Sequence, residues 1–181
     1  MSDKTLNELF NQYQSTTDKN KDGIHFYGPT YDKLLSPFKT SNINILVIGV
    51  SQYGGGDVRS YLDYFDNALI WGIDNHPLDI KHPRFNFIIG DAYDSRTVLK
   101  DKQFHIIIDD CLHTGEKQCK ALELYLPLLT SDGIYIIEDI RPEWESFIKN
   151  FQVVAGNRKL ECIDLTCDQP KAFNNRLFVI K

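Results

Sequence analysis

Ile43-Asn44-Ile45-Leu46-Val47-Ile48-Gly49-Val50-Ser51-Gln52-Tyr53-Gly54-Gly55-Gly56 is a nearly continuous apolar run that stops at a glycine and gives way to a loop of small residues. A run apolar at consecutive positions suits a strand buried on both faces of a parallel sheet. Downstream, Val58, Tyr61, Leu62 and Phe65 fall on one helical face. Four more runs repeat the pattern, over Leu69–Ile73, Phe85–Ile89, His105–Ile108 and Gly133–Glu138, and between the last two Cys119, Leu122, Leu126 and Leu129 predict another helix. Strands alternating with helices predict an α/β fold with a doubly wound, mostly parallel sheet. Leu160–Leu165 and Leu177–Ile180, joined by a loop too short for a helix, predict an antiparallel hairpin at the sheet edge.

Upstream of this core, Thr5 and Glu8 have the spacing of a capping box, and Leu6, Leu9, Phe10 and Tyr13 continue it as an amphipathic helix. Ser15 to Gly23 is polar and reads as a loop, and Tyr31 to Phe38 as a second short helix. The chain has 181 residues, 42% of them hydrophobic and 12% aromatic, which suits one domain with one substantial core. A formal net charge of -5 disfavours nucleic acid, whose phosphates demand clustered Lys and Arg. The polar start and the lack of a long apolar run predict a cytoplasmic protein with no membrane partner. The four cysteines, Cys111, Cys119, Cys162 and Cys167, form no C-x-x-C pair and read as reduced thiols.

In such a sheet ligands bind beyond the carboxyl ends of the strands, where strand order reverses. The first run ends at Gly49 and its glycine loop, which lets the backbone approach a ligand closely. The second ends Gly72-Ile73-Asp74, an acid 25 residues after Gly49, near the ~20 expected of a carboxylate that binds ribose hydroxyls. The third ends Gly90-Asp91-Ala92. This succession resembles the class I S-adenosylmethionine-dependent methyltransferases, whose Rossmann-like sheet also carries a terminal antiparallel hairpin. The resemblance implies that Gly49, Ser51, Tyr53, Asp74, Asp91, Ala92 and Asp109 bind S-adenosylmethionine. It also implies that residues 1–40 form a helical segment covering the cofactor site of a single domain, with 41–181 as its α/β core. The family loop commonly reads G-x-G, and here Ser51 stands at the second glycine while Gly54, Gly55 and Gly56 follow, which predicts weaker cofactor binding or a different loop path.

The fourth run ends Asp109-Asp110-Cys111-Leu112-His113 and the fifth Glu138-Asp139. Four carboxylates at neighbouring strand ends are costly unless a cation or protons offset them, and oxygen ligands favour Mg²⁺. His113, with an ordinary pKa of ~6.5, suits a general base for a hydroxyl. Asp110-x-x-His113 with Glu138-Asp139 resembles the metal-dependent sugar O-methyltransferases of macrolide antibiotic biosynthesis. By that resemblance Asp110, Glu138 and Asp139 bind magnesium and His113 deprotonates a sugar hydroxyl. Thr17-Asp18-Lys19, His25-Phe26-Tyr27 and Tyr31 are similar to a region that lies over the cofactor in that family. Those enzymes carry lid or auxiliary segments for which 181 residues leave little room.

The expected protein is therefore a Mg-dependent O-methyltransferase acting on a small glycosylated acceptor, and a homo-oligomer is a plausible state. Phe26, Tyr27 and Trp144 offer stacking surface for an acceptor, although aromatic side chains more often complete a core. Three other readings stay open: a non-catalytic cofactor-binding module, a nicotinamide-dependent oxidoreductase, against which the missing G-x-G-x-x-G counts, and a catechol-type O-methyltransferase.

Overall fold

The computed structural model describes residues 3–20, 25–94, 99–166 and 174–181, without the side chains of Ser15, Trp144 and Glu145. Its centre is a seven-stranded sheet of β1 (Asn44–Ile48), β2 (Leu69–Asp74), β3 (Phe85–Ile89), β4 (Phe104–Asp109), β5 (Leu129–Ile137), β6 (Leu160–Asp164) and β7 (Arg176–Ile180), in the order β3-β2-β1-β4-β5-β7-β6. β1 to β5 pair in parallel, whereas β7 runs antiparallel to both β5 and β6. The doubly wound sheet and terminal hairpin expected from the sequence are both present, with β6 at the edge.

Each central strand supplies two cores, because successive side chains point to opposite faces. Ile45 and Val47 of β1 join Ile106 and Ile108 of β4 on one face, under α1 (Leu6–Gln12), α2 (Gly28–Leu35) and α3 (Gly56–Tyr64). Leu46, Ile48 and Ile107 face the other way, onto Tyr125 of α4 (Gly115–Tyr125) and Phe151 of α5 (Ile148–Ala155). This double burial explains why the strands read as unbroken apolar runs.

The helix at the chain start carries the capping box, with the Thr5 side chain accepting from the Glu8 backbone and the Glu8 carboxylate accepting from the Thr5 N–H. α2 begins at Gly28, three residues before the expected start, and Pro37 turns its continuation into a 3-10 turn over Ser36–Phe38. The helix expected to run through Leu129 stops at Tyr125; a 3-10 turn holding Pro127 follows, and Leu129 already opens β5. Proline lacks the N–H that a further helical turn requires, so the apolar spacing is overridden there. α5 buries only Phe151 and Ala155 in its eight residues, too thin a stripe to announce a helix in the sequence.

Between β1 and β4 the order of connection reverses, and there the two backbones nearly touch. A Cβ on Gly49 would lie 2.2 Å from the Asp110 carbonyl oxygen. The φ of Gly49 is +84°, so both its conformation and its surroundings require glycine.

Candidate active site

The loop after β1 is held by the acid that ends β2. One carboxylate oxygen of Asp74 accepts from the Val50 and Ser51 N–H groups, each at 2.9 Å, and the other from the His76 N–H at 2.9 Å. Burial pushes the Asp74 carboxyl up, but these hydrogen bonds win and hold it below the usual carboxylate range. Ser51 has a right-handed backbone, and the left-handed positions of this loop are Gly49, Tyr53, Gly54 and Gly55. The backbone at Ser51 therefore needs no glycine.

A cleft of about 700 Å³ opens beyond these strand ends, a size suited to a cofactor-sized molecule. Gly49, Ser51, Asp74, Asp91, Ala92 and Asp110 line it, together with Cys111 and Lys117. Asp91 accepts from the Tyr93 N–H at 2.9 Å, and the Ala92 carbonyl accepts from the Tyr125 hydroxyl. Two expected cofactor residues stand apart from this cleft. Tyr53, with a φ of +61°, lines a small recess beside Thr17, Asp18 and Lys19. Asp109 is buried and does not line the cleft; burial pushes its carboxyl up to about 7, and one of its oxygens finds no hydrogen-bond partner among the described residues.

Around Asp110, which lines the cleft, three elements bring acids and imidazoles together. Asp110 follows β4, Asp139 follows β5, and His113 sits in the turn before α4. Ligand atoms of these three all lie within 4.8 Å of one another. His113 Nε2 is 3.4 Å from Asp139 Oδ2 and 4.0 Å from Asp110 Oδ1. Burial holds the His113 imidazole below its ordinary pKa, which favours the neutral form that can accept a proton.

Glu138 points elsewhere. Its carboxylate accepts from the Tyr31 hydroxyl and lies 2.5 Å from the Lys19 ammonium, and its backbone carbonyl accepts from Gln118 at 2.7 Å. Burial pushes the Glu138 carboxyl up to about 7, against the pull of Lys19. The Lys19 ammonium also lies 2.5 Å from Asp110 Oδ2, and these two carboxylates keep it charged despite complete burial. Asp139 Oδ1 lies 3.1 Å from His25 Nε2 and accepts from the Tyr27 hydroxyl at 2.7 Å. Burial opposes ionisation of Asp139, but His25 and the other neighbours hold its carboxyl at about 2. Three acids thus gather around Lys19 and His25, with the Asp18 carboxylate 3.8 Å from the Lys19 ammonium, and burial raises the carboxyl of Asp110 well above its ordinary value as it does that of Glu138.

Among the expected site residues, Asp110, Asp139 and His113 therefore converge, while Glu138 sits one step behind them. The resemblance set Lys19, His25 and Tyr31, in the Thr-Asp-Lys and His-x-Tyr-x-x-x-Tyr stretches quoted above, in a region over the cofactor; what it did not give is their contacts with Asp110, Glu138 and Asp139. Tyr27 is buried and bonded to Asp139, so it offers no free stacking face, whereas Phe26 is partly exposed and the Trp144 side chain lies outside the described residues.

No family model matches the chain. It is 29% identical over 140 residues to 8-demethyl-8-alpha-L-rhamnosyl tetracenomycin-C 2'-O-methyltransferase of Streptomyces olivaceus, an alignment covering 69% of this chain and 36% of that protein. It is 28% identical over 156 residues to demethylmacrocin O-methyltransferase of Streptomyces fradiae, covering 81% of this chain and 38% of the relative. The chain thus spans well under half the length of the curated relatives it matches. Among solved structures, the MycE methyltransferase of the mycinamycin biosynthetic pathway, in complex with Mg and SAH, superposes with a TM-score of 0.79 at 22% identity, over 99% of this chain and 55% of MycE. The chain has the class I methyltransferase fold, and its homologues are O-methyltransferases named for rhamnosyl tetracenomycin-C, demethylmacrocin and mycinamicin VI.

Proposed function

We propose that this chain is an S-adenosylmethionine- and Mg-dependent O-methyltransferase domain whose acceptor is a hydroxyl of a sugar on a small glycosylated molecule. The observation that carries the reading is the convergence of Asp139 and His113 on Asp110, which lines the same cleft as Gly49, Asp74 and Asp91, in a chain homologous to sugar O-methyltransferases. Two carboxylates beside an imidazole, in a cluster where carboxyl groups outnumber cations, fit a hard divalent cation. Asp110 and Asp139 would hold it, with Glu138 beside them. When bound, S-adenosylmethionine supplies an electrophilic methyl group and the cation lowers the pKa of a hydroxyl ligand.

The remaining work belongs to the chain's own groups. His113 takes the proton of the acceptor hydroxyl at Nε2, the nitrogen that faces Asp110 and Asp139, and Asp139 stabilises the imidazolium that forms. Asp74 and Asp91 bind the ribose and adenine portions of the cofactor, and Gly49, Ser51 and Ala92 give its methionine and ribose atoms close backbone contact. Tyr53 and Asp109 complete the cofactor set as outer supports. Residues 1–40 cover the site and 41–181 form the core of the same domain. The net charge of -5 supports a small neutral acceptor over nucleic acid. The reading includes a cytoplasmic location; among the described residues no helix is long and apolar enough to cross a membrane. The proposed homo-oligomer is tested by light scattering, and a clean monomer removes it.

Calorimetric titration with S-adenosylmethionine and then Mg²⁺ tests the core of this reading. Wild type should bind both, Asp110→Ala only the cofactor, and His113→Ala both, while methyl transfer to rhamnosyl and other deoxysugar glycosides falls roughly 10²- to 10⁴-fold in His113→Ala. A wild-type protein that binds no cofactor refutes the proposal.

A further inference from the structure

Asp139 adopts a φ of +57°, a conformation that non-glycine residues avoid and keep only where their surroundings hold it. The turn separates two neighbouring acids, sending Glu138 toward Lys19 and Tyr31 and Asp139 toward His113. What holds Asp139 comes from the N-terminal segment. His25 Nε2 and the Tyr27 hydroxyl both meet the same oxygen, Oδ1, at 3.1 and 2.7 Å. The two rings stack on each other, with centroids 4.7 Å apart and planes 18° from parallel, so each fixes the other's aim.

His25 is 3% exposed, and its second ring nitrogen, Nδ1, has no hydrogen-bond partner among the described residues. A histidine retained only for packing would leave two polar atoms to satisfy in a buried place, which an apolar side chain avoids. The contact at Nε2 is therefore the reason for an imidazole at this position. Asp110 is treated in the same manner, since Lys19 meets its Oδ2. The N-terminal segment thus occupies one oxygen of each acid, and the oxygens left facing His113 are Asp110 Oδ1 and Asp139 Oδ2.

We infer that His25, backed by Tyr27, is a positioning residue for the cation: it engages Asp139 Oδ1 and so turns Oδ2 into the space shared with Asp110 and His113. This rests on the metal-dependent reading proposed above. Partners that orient a ligating carboxylate typically change metal affinity 10- to 100-fold when removed. His25 is not among the residues that line the cofactor cleft, so its loss should leave cofactor affinity intact.

The test uses Mn²⁺ as the probe, with free ion measured by electron paramagnetic resonance, and S-adenosylhomocysteine binding measured alongside by calorimetry. His25→Ala should weaken Mn²⁺ binding about 10- to 100-fold with S-adenosylhomocysteine affinity unchanged, and His25→Gln, which restores an N–H donor, should recover most of the loss. Tyr27→Phe keeps the ring, guards against a folding failure in His25→Ala, and should weaken Mn²⁺ binding less. Full Mn²⁺ affinity in His25→Ala and Tyr27→Phe, with affinity lost in Asp110→Ala, overturns the positioning role and leaves the metal reading standing. Absence of Mn²⁺ binding in wild type overturns both.

Discussion

Lys19 and Glu138, 119 residues apart in the chain, are each 1% exposed and lie 2.5 Å apart as ammonium and carboxylate. This pair ties the N-terminal segment to the end of β5, and through Asp110 to the end of β4 as well. A buried ion pair contributes little net stability compared with an apolar substitute, because both ions lose their hydration. Removing one partner is another matter, since the survivor is then a bare charge in the core.

Lys19→Met should therefore lower the unfolding free energy by roughly 3–5 kcal/mol in urea denaturation, measured without divalent cation. Lys19→Met combined with Glu138→Gln should be more stable than Lys19→Met alone, because one uncompensated carboxylate has gone. A double variant no more stable than the single one would show that packing, not charge, dominates at Lys19.

Asp74 carries two tasks on the proposed function: it fixes the loop N–H groups of Val50 and Ser51 and faces the cofactor ribose. Hydrogen bonds to a charged group contribute about 1.5–3 kcal/mol, so Asp74→Ala should weaken S-adenosylhomocysteine binding about 10- to 100-fold. Asp74→Asn, which keeps an acceptor, should lose less. Equal affinities for Asp74→Ala and wild type in calorimetry would remove Asp74 from the cofactor site.

Gly49→Ala combines a left-handed backbone with a Cβ driven to 2.2 Å from the Asp110 carbonyl. The backbone strain alone is about 1–2 kcal/mol, and relief of the clash must push β1 and β4 apart at their ends. Thermal unfolding should show a loss of at least ~2 kcal/mol, and Mg²⁺ binding should weaken with it because Asp110 moves. An alanine variant as stable as wild type would mean that the two backbones are further apart than described.

Asp57, buried near the start of α3, has its carboxyl pushed up to about 6 by burial, with Lys19 pulling it back. A carboxyl raised in the folded state stabilises the fold only while protonated; that contribution is full below the unfolded value near 3.8 and is lost as pH rises through about 6. The difference amounts to about 3 kcal/mol. Asp57→Asn should consequently gain stability relative to wild type between pH 4 and pH 7.5 in cation-free buffer. Parallel pH profiles for the two proteins would contradict the assignment.

The architecture was legible in Ile45–Ile48 and its sister runs, because a strand buried on both faces must be apolar at every position, and few other structures impose that demand. Its errors fell at Pro127 and Pro37, where the missing N–H of proline stops a helix that side-chain spacing alone would continue. The strand-end acids were legible for a related reason: Asp74, Asp91, Asp110 and Asp139 stand where apolar runs stop, and in a doubly wound sheet those stops share one edge. Lys19 and His25 were legible only through the family resemblance, which set them over the cofactor, and their pairing with the acids was not legible from their own surroundings in the sequence. Each is a single polar residue in a polar stretch, and nothing local distinguishes them from solvated loop residues.

By itself, the sequence determined which residues line up along the sheet's carboxyl edge, because strand periodicity and the doubly wound connection leave little choice. Only the tertiary structure decided how those residues divide. Backbone conformation at Asp139 turns two adjacent acids in different directions, and long-range contacts from Lys19, His25, Tyr27 and Tyr31 select which carboxylate oxygens are occupied. Those contacts join residues about a hundred positions apart, and charge balance in a buried cluster depends on distances that no local pattern encodes.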